Sequence, residues 1–503
     1  MSNYMGITIG PIVDTLMLAK SPAAMWYASS TFSKLTETIC RNVTAAGKEM
    51  KIISPHYDKK AVYTDGIGRY HDRVIIENAD EKAVLEAVNS AVEEIAKAVA
   101  SDAFEDEQKL SRAAEFMKDY LQVHCVYLPE LEGNAVLETG DILNCLEQMS
   151  SPNANRDCDP FLHIFGGTKD SKNSYIDKKI KKMKDDGRLG ESQLYDEGKK
   201  SFRSLDEIAK GDSSDGMKHR SYYVIVEADG DSMGKYIESI GNDITKFSDA
   251  CFKYAGEASQ KIADFGGMTV YAGGDDLLFI SPVVGKHDKT VFDLCREISD
   301  IFREKIKTLP ASRGADLPTV SFGIAIRRNG FPLYEALNSS LNALFAAKSE
   351  KVGKNAIVID MQKGSGQAMK IAVPFKDYDL FDEIFGLYHK AEKTDKLLRS
   401  AIYVFGIRRA MFEMKSDDEA VLRNIVINTF DNEGQSDYKD FVNKLADSFC
   451  KFMHEANCSI KEISGSEKDI SETGARISAF EAMLRLGKFM TETGSDKVKE
   501  EEE

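Results

Sequence analysis

The strongest constraint on the fold is the order of strand and helix patterns between residues 219 and 361. YYVIVEA (222–228) is almost uniformly apolar, as in a buried strand, and FSDACFKYAGEASQKIADF (247–265) repeats apolar residues at helical spacing. MTVYA and LLFISPV then flank GGDD as a hairpin, and a helix, the strand TVSFGIAI, another helix and the strand NAIVID follow. This β-α-β-β-α-β order predicts a ferredoxin-like sheet with helices on one face.

An earlier part of the chain has a similar order. GITIGPIV (6–13) has the pattern of a buried strand, a helical pattern follows, and KIISPHY and DRVIIEN precede a long helical pattern that ends near residue 123. We therefore predict an α+β protein with two ferredoxin-like (βαββαβ) domains, an irregular linker domain and a C-terminal α-helical domain. The predicted boundaries are 1–123, 124–218, 219–361 and 370–490, with an acidic, disordered tail at 491–503.

The composition is that of a soluble globular protein, with 42% hydrophobic and 29% charged residues. The chain has no apolar stretch of about 18 residues, and Asp14 interrupts the apolar N-terminal run, so we predict neither a membrane span nor a signal peptide. Eight cysteines without a CxxC pair favour a reducing compartment, and we predict a cytoplasmic protein. A net charge of -16 repels nucleic acid, so partner subunits would have to hold it.

Two pairs of carboxylates follow strand patterns. Asp229 and Asp231 come directly after YYVIVEA, and Asp275 and Asp276 lie at the tip of the predicted hairpin. In a βαββ order the two loops lie side by side, and converging carboxylates are tolerated when a cation neutralises them. Oxygen ligands select hard ions, so we predict that all four bind Mg²⁺ or Mn²⁺. Such ions usually also bind substrate phosphates, which indicates a nucleotidyltransferase with Asp229, Asp275 and Asp276 as catalytic residues. The alternative is two ordinary acidic turns.

Nearby glycines and lysines are candidates for nucleotide contacts. Gly230 would let a ligand approach the backbone, and Gly273 and Gly274 permit the tight hairpin turn. Lys348 and Lys354 follow a helical pattern and would reach a triphosphate as point charges. The alternative for these two is that they are ordinary surface lysines.

The segments DGDSMG (229–234) and GGDD (273–276) resemble the polymerase-type Palm domain of the large, Cas ten-type subunit of type III CRISPR effector complexes. The similarity is greatest to the Cmr (type III-B) branch. SFGIAI, the next helix and GKN also fit, although GGDEF-type cyclases share this part. ITIGPIVDTLMLAKSPAAMWYASSTFSKL resembles the first Palm of that family, so the similarity runs from residue 6 to residue 360 in order. The helical C-terminus fits by class only.

The resemblance implies an enzyme that uses ATP to make a nucleotide second messenger for antiviral defence when its complex binds target RNA. The second Palm would hold the ATP donor, and the first Palm, which lacks both motifs, would hold the acceptor. The implied partners are other Cmr-type subunits, CRISPR RNA and target RNA. The predicted nucleotide contacts are Gly230, Ser232, Met233, Gly234, Gly273, Gly274, Lys348 and Lys354.

Two features depart from the family pattern. Many members begin with an HD nuclease domain, whereas His71-Asp72 lacks further helical partners, so we predict a structural role for His71 and no DNase activity. Many members also carry paired CxxC motifs, whereas the candidates here are irregularly spaced and zinc is not expected. These candidates are His124, Cys125, Cys145, Cys158 and His163.

The product and two competing functions stay open. Most of the family makes cyclic oligoadenylate, whereas some short members without the nuclease domain join AMP to S-adenosylmethionine, and the sequence does not identify the acceptor pocket. A stand-alone GGDEF-like nucleotide cyclase is the second hypothesis, which the additional Palm-like half disfavours. A catalytically silent scaffold of an RNA-guided complex is the third, and the four intact carboxylates count against it.

Overall fold

The structure, a computed structural model, has a mixed α+β fold, as predicted, with a four-stranded and a six-stranded sheet. Most of the predicted linker domain, Cys458 and the tail from residue 493 lie outside the described residues. The structure describes residues 2–47, 49–60, 67–131, 133–148, 158–165, 195–196, 201–211, 217–309, 316–389, 395–414, 418–431, 439–455 and 471–492.

The N-terminal sheet is built from the first third of the chain. Its elements are β1 (Tyr4–Gly10), α1 (Ile12–Met17), α2 (Pro22–Ala46), β2 (Lys51–Ser54), β3 (Arg73–Glu77), α3 (Glu81–Ala103), α4 (Glu107–Tyr120) and β4 (Gln122–Leu128). The strands pair antiparallel in the order β2-β3-β1-β4. Ser21, Asp80 and Asp106 cap α2, α3 and α4, because each side chain accepts the backbone N–H three residues later.

The region predicted as an irregular linker contributes directly to this sheet. The predicted boundary after residue 123 falls inside β4, which pairs with β1 along its whole length. Further elements are α5 (Ala135–Glu147), α6 (Pro160–Phe165), β5 (Tyr195–Asp196), β6 (Ser201–Phe202) and α7 (Leu205–Lys210). Helix α5 packs on β1 and β4, and Ala135 joins Ile53 and Ile75 in an apolar cluster on the face away from α2 and α3.

The central sheet follows. Its elements are β7 (Tyr222–Asp231), α8 (Met233–Ile240), α9 (Ile244–Phe265), β8 (Met268–Gly273), β9 (Asp276–Pro282), α10 (Val291–Lys307), β10 (Thr319–Arg328), α11 (Leu333–Lys348), β11 (Ala356–Gln362) and β12 (Ala368–Pro374). The strand order is β12-β11-β10-β7-β9-β8. The part β10-β7-β9-β8 places the fourth, first, third and second strands side by side, as β4-β1-β3-β2 does in the N-terminal sheet. This shared order favours a common origin for the two halves.

Strand β12 was not predicted, and it lies where the helical domain was expected to begin. It pairs antiparallel with β11 along its whole length, so the central sheet extends to residue 374. The described helices after it are α12 (Tyr378–His389), α13 (Asp395–Ile407), α14 (Arg409–Glu413), α15 (Glu419–Asp431), α16 (Lys439–Glu455) and α17 (Glu472–Thr491). Their apolar faces meet at Phe405, Phe449 and Phe480, whose ring centroids lie 4.7–5.1 Å apart.

The two faces of β7 have different neighbours. Val224 and Val226 join the apolar cluster of α9, α10 and the C-terminal helices. Tyr223 and Ile225, on the opposite face, belong to the cluster that contains Trp26 of α2. The N-terminal half therefore packs on this face, and its segment before β3 lies beside the β8–β9 hairpin. There the Ala272 N–H donates to the carbonyl oxygen of Gly68 (3.0 Å).

A glycine sets the distance between β10 and α11. A Cβ on Gly323 would lie 2.1 Å from the carbonyl oxygen of Ser340 and 2.3 Å from the nitrogen of Leu344, both in the α11 backbone. We expect Gly323→Ala to lower the free energy of unfolding by about 2 kcal/mol, because α11 would have to move away from the sheet. Urea unfolding of the purified chain measures this change.

The matched control is Gly386→Ala on α12, where an added Cβ meets nothing within 4 Å. This control should be neutral or stabilising by up to about 1 kcal/mol, because alanine is the better helix former. Equal losses in the two variants would contradict the close approach of α11 to β10.

Candidate active site

Two neighbouring strands carry the predicted carboxylates to one place. Strand β7 ends at Asp231, and the β8–β9 hairpin turns through Gly274 and Asp275 between the paired residues Gly273 and Asp276. Gly274 has φ +68°, a left-handed conformation that a two-residue hairpin turn requires and that glycine adopts without strain. The geometry agrees with the predicted role of Gly274 in the turn, whereas Gly273 is the last residue of β8 and its φ is not positive.

The register brings Asp229 and Asp276 together. Strand β7 pairs with β9 up to Ala228 and Leu277, so Asp229 and Asp276 are the next pair across the ladder and their side chains share a face. The charge of Asp229 raises the pKa of Asp276, as expected for two carboxyl groups on neighbouring strands. A cation between them would remove this repulsion.

Gly230 lets the third carboxylate approach. A Cβ on Gly230 would lie 2.4 Å from Asp275 Oδ2 and 2.7 Å from Met233 Cγ, so no larger residue fits there without a shift. The nearby backbone N–H of Gly230 lowers the pKa of the Asp275 carboxyl group, against the effect of burial. We predicted Gly230 as a place where a ligand approaches the backbone; in the structure, the group that approaches it is Asp275.

The crowded carboxylates have perturbed acidities. Burial and the charge of Asp229 raise the pKa of Asp275 to about 6, although backbone N–H groups and Lys348 act against this. Burial raises the pKa of Asp276 well above its ordinary value, and the charges of Asp275, Asp229 and Asp72 raise it further. Its outer edge is still open to solvent. The cluster therefore favours binding a proton or a cation.

Lys348 reaches this cluster. Its ammonium group forms an ion pair with Asp229 and donates to the carbonyl oxygen of Gly230 (2.8 Å). This contact favours a site residue over an ordinary surface lysine. Lys354 lies farther out and donates to Ser232 Oγ (3.3 Å).

The carboxylate oxygens of this cluster suit a hard cation, although they do not surround a position for one. No three Asp, Glu, His or Cys side chains in the described part of the chain already surround a position for an ion. Lys348 is paired with Asp229. Asp229, Asp275 and Asp276 nevertheless supply oxygen ligands, and a divalent cation would lower the raised pKa values of Asp275 and Asp276, so these residues fit Mg²⁺ or Mn²⁺.

Asp231 differs from the other three carboxylates. It is 2% exposed, and its oxygens accept hydrogen bonds from Thr319 Oγ1 (2.8 Å), Ser321 Oγ (2.9 and 3.0 Å) and the Asn355 N–H (2.9 Å). These bonds tie the end of β7 to β10 and to the loop after α11. Because both oxygens are already engaged, this geometry favours a supporting role over the predicted role as a metal ligand.

The remaining predicted nucleotide contacts lie at the start of α8. Ser232 has φ +59°, and Met233 packs over Gly230. A Cβ on Gly234 would lie 3.8 Å from Leu137 of α5, so this turn faces the N-terminal half of the chain. Their contacts with a nucleotide stay predictions.

The sequence drew attention to His71-Asp72 but did not predict that this pair lies beside the carboxylates. His71 lies against the hairpin, since its Cδ2 is 3.6 Å from the position of a Cβ on Gly274. Its Nδ1 accepts the Arg73 N–H (3.3 Å) and its Nε2 bonds to Ser54 Oγ (3.1 Å), while burial and Arg73 lower its pKa to about 4. A neutral, packed His71 agrees with the predicted structural role. Asp72 adds a fourth carboxylate near Asp276.

The zinc candidates are spread over several elements. His124 and Cys125 lie on β4, Cys145 on α5, and Cys158 precedes α6, which contains His163. The expectation that they bind no zinc stays a prediction. No helix among the described residues has the length and apolar character needed to cross a lipid bilayer.

Comparison with known proteins identifies the family of this site. Residues 222–358 match the family model described as Cas10/Cmr2, second palm domain, and this segment contains every carboxylate and lysine predicted above. This part of the chain is similar to that palm domain, which confirms the resemblance that the DGDSMG and GGDD segments suggested.

Three known proteins that are similar to this chain match different shares of it. The CRISPR system Cmr subunit Cmr2 of Pyrococcus furiosus is 28% identical over 204 residues, which represent 35% of this chain and 22% of that protein. A Csm1–Csm4 cassette in complex with pppApA is 11% identical, with a TM-score of 0.54 over 97% of this chain and 69% of that chain. The type III-B Cmr-beta complex bound to cognate target RNA contains a chain that is 11% identical, with a TM-score of 0.51 over 97% and 83%. The two structural matches show a shared fold.

The stability of two variants should distinguish Asp231 from the other carboxylates. We expect Asp231→Ala to lower the free energy of unfolding by roughly 2–4 kcal/mol, because Thr319, Ser321 and the Asn355 N–H would lose a buried, charged acceptor. Asp276→Asn should not destabilise the metal-free chain. Urea unfolding of both variants in a chelator measures the difference, and a larger loss for Asp276→Asn would contradict the assignment.

The stability of the metal-free chain should also depend on pH through Asp275. An ordinary aspartate ionises near pH 4, whereas Asp275 in the folded chain ionises near pH 6. The folded, metal-free chain should therefore lose stability as the pH rises from about 4 to about 6, and this loss should persist at higher pH. Asp275→Asn removes the ionising group, so the variant should exceed the native chain in stability by roughly 1–2 kcal/mol near pH 7.5 and equal it near pH 4.

Urea unfolding across this pH range, in a chelator, tests the second prediction. The control is Asp264→Asn on the exposed side of α9, which should change little at any pH. If the Asp275→Asn variant were less stable than the native chain near pH 7.5, the proposed crowding at Asp275 would be wrong.

Proposed function

We propose that this chain is a nucleotidyltransferase that uses ATP to make a nucleotide second messenger. The observation that carries the proposal is the convergence of Asp229, Asp275 and Asp276 beside a cavity between the two halves of the chain. These carboxylates would hold Mg²⁺ or Mn²⁺, which would act as a Lewis acid on the phosphates and on the attacking hydroxyl.

A cavity of 330 Å³, here called the basic cavity, supports ATP as the donor. Its wall includes Asp275 and Asp276 and the basic side chains His56, Arg69 and Arg73. Guanidinium groups suit phosphate oxygens, which they bind through two parallel hydrogen bonds. Arg73 is held in place by Glu147 (3.0 Å) and by Asn144 of α5. ATP in this cavity would have its phosphates beside the carboxylate centre.

The reaction transfers an adenylyl group. The oxygen of an acceptor hydroxyl forms a bond with the α-phosphorus of ATP, the bond from that phosphorus to the bridging oxygen breaks, and pyrophosphate leaves with the electron pair. The proton of the hydroxyl passes to water. The chain contributes position and charge: Lys348 beside Asp229 is available for a phosphate oxygen when the ammonium group leaves that carboxylate.

We assign the two sheets to two ferredoxin-like Palm domains. The N-terminal Palm would supply the basic wall of the ATP cavity, and the central sheet would form the catalytic Palm. The residues around 129–218 would form the linker domain, and α12–α17 would form the C-terminal helical domain. The shared strand order of the two sheets supports this division.

We further propose that the chain acts as a subunit of a type III CRISPR complex with other Cmr-type subunits, CRISPR RNA and target RNA. The relatives support this, since one is a Cmr subunit and another belongs to a complex bound to target RNA. A net charge of -16 favours partners that supply the basic surface for RNA. The product would be cyclic oligoadenylate or AMP joined to S-adenosylmethionine.

One experiment tests the proposal. The purified chain, alone and in its complex with CRISPR RNA and target RNA, is incubated with labelled ATP and Mg²⁺, with and without S-adenosylmethionine. Product that forms only with target RNA supports the proposal. Product from the isolated chain would instead indicate a stand-alone GGDEF-like cyclase, and no product in any condition would indicate a silent scaffold.

We predict that Asp275→Ala combined with Asp276→Ala lowers the rate of product formation by at least about 1000-fold, because the cation and the phosphates would lose their ligands. The complex should still assemble, since both side chains lie in an open turn. Size-exclusion chromatography of the complex provides the control. Loss of assembly in this variant would mean that the two carboxylates are structural.

A further inference from the structure

Two tyrosines in the core of the central half each have a buried hydroxyl group without a hydrogen-bond partner among the described residues. They are Tyr236 of α8, which is 2% exposed, and Tyr254 of α9, which is 0% exposed. A buried hydroxyl that makes no hydrogen bond is unfavourable, because it has given up its bonds to water, and most buried polar groups in proteins are paired. Each of these hydroxyls is therefore a candidate for a partner that is present in another state of the protein.

Tyr254 lies on the side of α9 that faces the carboxylate centre. Helix α9 packs on β8, the strand that leads into the turn with Asp275. Cys251, three residues before Tyr254, lines the basic cavity together with Asp275 and Asp276. Side chains on a helix lean towards its N-terminus, so the Tyr254 ring lies over the turn that contains Cys251. The ring packs edge-to-face against Phe302 of α10, with centroids 5.1 Å apart, and this contact fixes its direction.

The carboxylates act on the Tyr254 hydroxyl electrostatically. Burial raises the pKa of Tyr254 well above its ordinary value, and the charges of Asp275, Cys251 and Asp276 raise it further. Burial and then the same two aspartates also raise the pKa of Cys251. The Tyr254 hydroxyl therefore keeps its proton and can donate it to a hydrogen bond. An ionised carboxylate only accepts hydrogen bonds, so the two groups are complementary.

Tyr236 lacks this relation to the carboxylates. Its ring lies against Phe247 of α9, with centroids 5.7 Å apart, and burial and Cys251 raise its pKa. No carboxylate of the centre contributes to that shift. An unpaired hydroxyl alone therefore does not assign a role, whereas an unpaired hydroxyl beside Asp275 does. Tyr236 supplies a matched control for Tyr254, since it has the same hydroxyl group in the same core.

We propose that Tyr254 is a positioning residue whose hydroxyl donates a hydrogen bond to the Asp275 carboxylate, directly or through one water molecule, when Mg²⁺ or Mn²⁺ is bound. This inference rests on the proposed function. In the metal-free chain, Asp275 Oδ2 lies 2.4 Å from the position of a Cβ on Gly230. A cation on one oxygen of this carboxylate leaves the other oxygen available to an uncharged donor. Donors of this kind orient a carboxylate that binds a metal ion and increase the affinity of the site.

Binding of Mn²⁺ to the purified chain tests the proposal, with electron paramagnetic resonance as the measure of the free ion. We expect Tyr254→Phe to raise the Kd for Mn²⁺ at least about tenfold, whereas Tyr236→Phe should change it by less than about twofold. A native Kd in Tyr254→Phe, or equal increases in both variants, would overturn the inference and leave the proposed function intact. A native chain that binds no Mn²⁺ would instead refute the metal centre of the proposed function.

Urea unfolding in a chelator separates positioning from general support of the core. Loss of an unpaired hydroxyl removes no hydrogen bond from the metal-free chain, so both variants should unfold at a urea concentration no lower than that of the native chain. A lower midpoint for Tyr254→Phe would mean that its hydroxyl supports the fold without the cation, and the proposal would be wrong.

The Mg²⁺ dependence of the reaction gives a third measurement, in the complex with CRISPR RNA and target RNA. Tyr254→Phe should form product slowly at low Mg²⁺ and come within about twofold of the native rate when the Mg²⁺ concentration is raised about tenfold or more. Asp276→Asn, which lacks a ligand, should not recover. If Tyr254→Phe also failed to recover, its hydroxyl would not act through the affinity for the cation, and the assignment would be overturned.

Discussion

The approach of the Asp275 carboxylate to the backbone of Gly230 is the contact on which the active site depends. It exists because residue 230 has no side chain, and because β7 and β9 are paired in a register that places Asp229 opposite Asp276. Three carboxylates are thereby forced into one volume. The raised pKa values of Asp275 and Asp276 follow from burial and from that crowding, and Lys348 forms an ion pair with the third carboxylate, Asp229. A residue with a Cβ at position 230 would displace the Asp275 and Met233 side chains and so move the Asp275 carboxylate out of the cluster.

The crowded arrangement needs a rigid support, which Asp231 supplies. Its carboxylate accepts hydrogen bonds from two residues of β10 and from the backbone of Asn355, so the end of β7 is held from two sides. The motif DGD therefore contains two acids with different functions. Asp229 lies in the open centre, whereas Asp231 is buried and fully bonded. Because both acids lie on the same face of the strand, the sequence pattern alone could not separate them; the difference arises from the hydroxyl groups of β10, which are 88 and 90 residues away.

The sequence predicted the parts of the fold and of the site that depend on local patterns. The apolar strands, the glycine turn and the helices with acidic or serine caps were found where expected. Strand β12 was missed because its alternating residues, such as Met369 and Lys370, resemble one face of a helix at this length. Strand β4 was missed because it follows α4 almost directly, without a glycine or proline between them. The place of Asp72 beside the carboxylates and the basic cavity were beyond prediction, since they arise where α5 and the loop before β3 pack against a hairpin much later in the chain.

The two sheets share a strand order but differ in what their corresponding loops carry. In the central sheet, the turn between the second and third strands holds the acids. In the N-terminal sheet, the corresponding connection between β2 and β3 holds Arg69, His71 and Asp72 and lies against that turn. Two identical halves would build two identical acidic centres that repel each other. In this chain the N-terminal connection instead carries Arg69 and a single acid, Asp72, so the two halves build one carboxylate centre with arginine side chains on one wall. That asymmetry places cationic side chains where the phosphates of ATP would lie beside the carboxylates.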